Sequence, residues 1–136
     1  MKGGNPLKLK ALFIANTVVS IPFGVGSVLA PHLFLSLFGA TLEPSGALMT
    51  QYGGAWLIGI GLLTWLTRDA PASEHGRGIS LALLIAYLVA LAASVLGQLA
   101  DVLNLLGWMH VLIQTFFAAA FGYSLAAGRR TVAPTA

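Results

Sequence analysis

The chain has 136 residues, of which 57% are hydrophobic and only 8% charged, against about 25% charged in an ordinary soluble domain. That composition excludes a soluble enzyme or a nucleic-acid-binding domain, and the net charge of +3 is dispersed rather than gathered into a patch. The absence of cysteine excludes a disulfide framework and thiol redox chemistry, including that of quinone-coupled disulfide-forming membrane enzymes.

Met1 to Lys10 is a short basic lead, and the first long apolar run follows from Ala11 to Ala30. The run is too long for a signal-peptide core, and Pro31 follows its best small-residue cleavage point, so it reads as a span. Pro22 can kink it near Val18. Pro31 to Gly39 then reads as a short helix lying in the outer interface: a proline at a first helical position, Leu33, Phe34, Leu37 and Phe38 on one apolar side, and a terminating glycine.

Further apolar runs occupy 47–66, 79–97 and 105–127, each near the roughly 20 residues a helix needs to cross the hydrocarbon. The second contains Gly53, Gly54, Gly59 and Gly61, which allow close backbone approach in lipid. The polar connection Thr67 to Gly78 separates it from the third, and Gln98 to Asn104 turns the third into the fourth. Continuous rather than alternating runs disfavour a β-barrel. The expected fold is all-α: a four-helix transmembrane bundle with a short interfacial helix after the first span, forming one domain over 1–136.

Lys2, Lys8, Lys10, Arg68, Arg77, Arg129 and Arg130 all fall on one side of this topology. By the positive-inside tendency both termini are cytoplasmic and the protein is a multi-pass protein of a plasma membrane. On each span a stripe of small or amide side chains recurs at helical spacing: Asn16, Ser20 and Gly24; Gln51, Ala55 and Gly59; Ala82, Ala86, Ala90, Ser94 and Gln98; His110, Gln114, Ala118, Gly122 and Ala126. These stripes read as the inner faces of the bundle.

His110 and Gln114 lie roughly 8 to 15 Å below the outer end of their span. Gln51 and Tyr52 share that depth, with Gln98 near the outer end, so the outer half reads as polar inside and the inner half as lined by small residues. Two readings of His110 stand: a neutral imidazole hydrogen-bonded between helices, or a ligand- or proton-handling group. In the second, Gln51 and Gln114 orient a small molecule, with Tyr52 and Gln98 beside it, against apolar walls from Trp56, Phe116 and Phe117. No convergent set of metal ligands, hydrolase elbow, phosphate loop or paired carboxylate is present. The absence of an intramembrane carboxylate argues against a proton-coupled four-helix multidrug exporter.

Pro31 to Gly39, Gln51-Tyr52-Gly53-Gly54 and Gly59-Ile60-Gly61 resemble small uncharacterised bacterial four-helix membrane proteins, broadly similar to the DoxX-like group. The resemblance implies a bacterial inner membrane and a quinone or lipid partner; an arginine expected before the paired glycines is replaced by Gln51 and Tyr52. No cofactor follows from the residues themselves. The expected function is binding of a lipid-like or quinone-like molecule. The alternative is a non-catalytic accessory subunit that recognises a membrane-protein partner or a second copy, and an enzyme acting on a lipid or quinol ranks last.

Overall fold

The computed structural model describes residues 6–129, with side chains from Lys8 to Ala127. Lys2 and Arg130, two of the basic residues that set the expected topology, lie outside the described residues. Among the described residues the chain is all-helical, with five helices and no strand: α1 (Pro6–Leu29), α2 (Pro31–Ser36), α3 (Pro44–Thr67), α4 (Glu74–Leu99) and α5 (Gly107–Arg129). Three of them contain segments long and apolar enough to cross a membrane: Lys8–Leu29, Glu74–Leu99 and Gly107–Ala127. At 24 residues α3 has the length, but Gln51, Tyr52 and its five glycines dilute its apolar content, and it is not among them.

The long helices associate as two pairs. α1 packs along α3 and α4 along α5, while α1 and α5 carry the lesser contact between the pairs. The first pair is set by glycine. A Cβ at Gly24 would sit 2.6 Å from the Gly54 carbonyl oxygen, and one at Gly54 would sit 2.7 Å from the Gly24 oxygen. One turn pair further along, Gly61 meets Ile21, at 2.6 Å from the position of an added Cβ. The buried face of α3 is therefore Gly54, Gly61 and Thr64, and the expected stripe of Ala55 and Gly59 points outward, with nothing within 4 Å of Gly59. Glycines stand on both faces of α3, and only the partner glycine on α1 decides between them.

Beyond this crossing a polar network ties three helices. Thr17 Oγ1 donates to the Gly61 carbonyl at 3.0 Å, Asn16 Nδ2 donates to Thr64 Oγ1 at 3.2 Å, and Tyr87 of α4 donates to Asn16 Oδ1 at 2.5 Å. Each group is thereby satisfied without water, as a hydrocarbon surrounding demands. Beside it lies the core, formed by Leu12, Phe13, Leu83, Phe117 and Phe121. The half expected to be lined by small residues is thus aromatic. Phe117 and Phe121, which flank the small stripe of α5, turn inward, while Phe116 is exposed.

Turn chemistry ends the elements. Gly39 has φ 80°, and the Gly39 and Ala40 amides donate back to Ser36 and Leu35, a Schellman closure that needs a left-handed residue. The same closure follows α4, with Asp101 at φ 54° and the Asp101 and Val102 amides donating to Gln98 and Gly97. Ser73 caps α4 by accepting from the Gly76 amide at 3.1 Å, so α4 begins at Glu74, five residues ahead of the expected span.

Candidate functional site

A cavity of about 270 Å³ lies between the two helix pairs, and all four long helices wall it. α1 contributes Ser20 and Phe23, α3 Leu57 and Ile60, α4 Leu83, Ala86, Tyr87 and Ala90, and α5 His110, Ile113 and Gln114. The cavity exists because α4 presents alanines where the opposite pair presents branched side chains, and neither side fills the gap.

Gln114 is 6% exposed, and its amide oxygen has no hydrogen-bond partner. A buried amide left without its hydrogen bond costs about 1–3 kcal/mol, and the Gln98 amide oxygen at the end of α4 is likewise without a partner. One turn from Gln114, half-buried His110 rests against Phe23 and Phe38, with ring centroids 6.0 and 6.5 Å apart. Among the described residues no hydrogen bond holds its ring. Phe34 completes an aromatic cluster with Phe23 and Phe38 at 5.5 and 5.7 Å, which closes the end of the cavity nearest α2. Phe34 and Phe38 of the α2 region turn inward for this, while Leu33 and Leu37 stay exposed.

Two further spaces adjoin the cavity. A groove of about 860 Å³ between α3 and α4 shares Ile60, Leu83 and Ala86 with it and runs to Glu74 and His75. A space of about 340 Å³ beside α2 and the α4–α5 turn shares Phe23 and His110. The aromatic cluster thus stands between the cavity and the space beside α2, whereas only aliphatic side chains stand between cavity and groove.

Of the residues expected to form a site, the structure brings His110 and Gln114 together. Gln51 lies at the α1–α3 interface, its Nε2 donating to the Val28 carbonyl at 3.0 Å. Tyr52 and Trp56 are 55% and 75% exposed on the outward face of α3. Gln98 is buried at the end of α4, donating to the Asn104 carbonyl at 3.0 Å and packing where a Gly107 Cβ would stand. Tyr87, Ser20 and Ala90 were not expected in the site. Tyr87 is the informative omission: a lone tyrosine in the middle of an apolar run is out of place at a membrane interface and requires a buried partner, here Asn16.

Among the described residues no group of three or more metal-ligating side chains converges. The chain matches no family model, no curated protein and no solved structure, and its own residues carry the functional reading.

Proposed function

We propose that this chain is an integral membrane protein whose four long helices form a bundle crossing the bilayer, and that it binds a lipid-like or quinone-like molecule in the cavity between its two helix pairs. One observation carries the reading: a void walled by four helices contains a nearly buried glutamine amide with an unmet hydrogen bond. An apolar cavity with a few convergent polar groups is the usual form of a small-molecule site. In this reading Gln114 orients the ligand, His110 offers a donor or acceptor at the outer rim, and α2 lies in the outer interface with Leu33 and Leu37 toward lipid.

The proposed topology places both ends of the chain on the cytoplasmic side. It is supported by Lys8, Lys10, Arg68 and Arg77 at one end of the molecule, where Lys10 reaches Asp69 at 2.5 Å. In a bacterium this would be the inner membrane.

The experiment is lipid analysis by mass spectrometry of the purified protein and of its His110→Leu and Ala90→Trp variants, with thermal unfolding measured in parallel. Ala90→Trp fills the cavity and is expected to strip the bound molecule; His110→Leu is expected to lower its content. Unchanged content in folded Ala90→Trp protein overturns the reading.

A second reading, an accessory subunit docking on another transmembrane helix or on a second copy, is favoured by the outward face of α3. There Gly53 and Gly59 have nothing packed against them, and small residues suit close helix approach. Co-purification with a partner that is lost in Gly59→Leu, with lipid content unchanged, would select it.

A further inference from the structure

We infer that the occupant is a neutral, hydroxyl-bearing lipid, its head against Gln114 and an acyl chain running along the α3–α4 groove toward the basic end of the molecule. This rests on the reading that the cavity binds an amphiphile, and adds its chemistry, its orientation and its route of entry.

The head is neutral because no carboxylate, lysine or arginine lines the cavity and its one imidazole, His110, sits among the aromatic rings at the rim, so a charge placed there would be desolvated without a fixed counter-charge. It both donates and accepts, because among the described residues neither the oxygen nor the nitrogen of the Gln114 amide makes a hydrogen bond. The nearby Tyr87 hydroxyl spends its proton on Asn16 and has only lone pairs left to offer. A hydroxyl both donates and accepts, whereas a ketone or ether only accepts and would leave the amide oxygen orphaned.

The chain has one direction to take. Toward the outer end the Phe23 and His110 rings, 6.0 Å apart, bar the way. Toward the basic end the cavity passes Ile60, Leu83 and Ala86 into a groove about three times its volume, further walled by Leu63, Ile79 and Ala82. The groove separates α3 from α4, the two consecutive long helices that do not pair, so a lipid can enter sideways from the leaflet at that end.

The test uses the full chain in phosphatidylcholine nanodiscs with a monoacylglycerol that carries a diazirine at the middle of its acyl chain, the labelled residues being mapped by mass spectrometry. Labels are expected on Leu63, Ile79 or Ala82, displaced by unlabelled monoacylglycerol. Its dimethyl ether should compete about tenfold less well, the cost of a lost hydrogen bond, and phosphatidylglycerol should not compete. Ala86→Trp, at the exposed junction of cavity and groove, should abolish groove labelling. Gln114→Leu keeps the volume and should bring the ether and the free hydroxyl lipid to parity. Labels at Leu35 or Val102, labels spread over outward residues such as Leu88, or equal competition by ether or phosphatidylglycerol overturn the inference. If Ala90→Trp strips the bound lipid but labels do not fall in the groove, the cavity reading survives and this one fails.

Discussion

At Gly24 and Gly54 the backbones of α1 and α3 approach until neither position can hold a methyl group, because an added Cβ would stand within 2.7 Å of the opposite carbonyl oxygen. Backbone is the obstacle, so neither helix can yield locally as a flexible side chain could. Gly54→Ala is expected to destabilise the protein by about 1–3 kcal/mol, the usual cost of overpacking, while Gly59→Ala, in open space, is expected to leave stability unchanged. Thermal unfolding of both variants in one detergent checks this; equal effects would mean that α3 presents its other face to α1. The sequence shows that α3 has close-packing glycines but not which of its two glycine faces is used, since Gly53 and Gly54, or Gly59 and Gly61, differ by little in spacing. Asn16, Ser20 and Gly24 on α1 were legible because that helix has a single small-polar face, and all three are buried. Tyr87 and Thr64 were not, because each takes its meaning from Asn16, 71 and 48 residues away.

Elements are joined at the two ends by different chemistry. At the end that holds α2, Asn104 clamps it to the α4–α5 turn: its Nδ2 donates to the Leu37 carbonyl at 2.9 Å, its amide donates to the Phe38 carbonyl at 2.8 Å, and its Oδ1 accepts from the Leu106 amide at 2.9 Å. Asn104→Ala keeps only the main-chain bond and is expected to cost about 1–2 kcal/mol, with faster amide exchange at Phe38 to Ala40 as the local readout. At the basic end Lys10 at the start of α1 donates to Asp69 just after α3. That hydrogen bond, with the Lys10 and Arg68 charges, holds the Asp69 carboxyl below the ordinary carboxylate range despite slight desolvation. A carboxyl lowered in the folded state contributes stability above its unfolded pKa and loses it as pH falls through the folded value. Asp69→Asn should therefore lower the melting temperature slightly at neutral pH, by less at high salt, and not at all in acid below the carboxylate range. A difference that persists there would assign the effect to packing. α2 itself was legible from Pro31 and Gly39, since the cap chemistry is local, whereas the Asn104 clamp spans 67 residues.

At the scale of the whole molecule, two tightly joined helix pairs meet through the Tyr87–Asn16 hydrogen bond and the Phe13–Phe121 contact on one side of the cavity and through the Phe23, Phe38 and His110 rings on the other, and leave a groove between α3 and α4. Apolar runs made the helical class and three helices long and apolar enough to cross a membrane legible, because they report transfer from water. The position of the cavity was not legible, since a void is fixed by which side chains fail to meet. Trp56 reads as a wall and Gln51 as an orienting group until α1 is seen to occupy one face of α3 and leave the other outward. If the groove is the way in, bridging it should trap whatever the cavity holds. The chain contains no cysteine, so Leu63→Cys with Ala82→Cys offers a clean pair, one residue on each wall of the groove, for a bis-maleimide of matching span. The bridged protein is expected to retain its bound lipid through exhaustive exchange into fresh nanodiscs, while the single-cysteine proteins, each carrying the same reagent on one side, lose it. Equal loss from bridged and unbridged protein would place the entrance elsewhere, and the outer space beside Phe23 and His110 would then be the remaining way in.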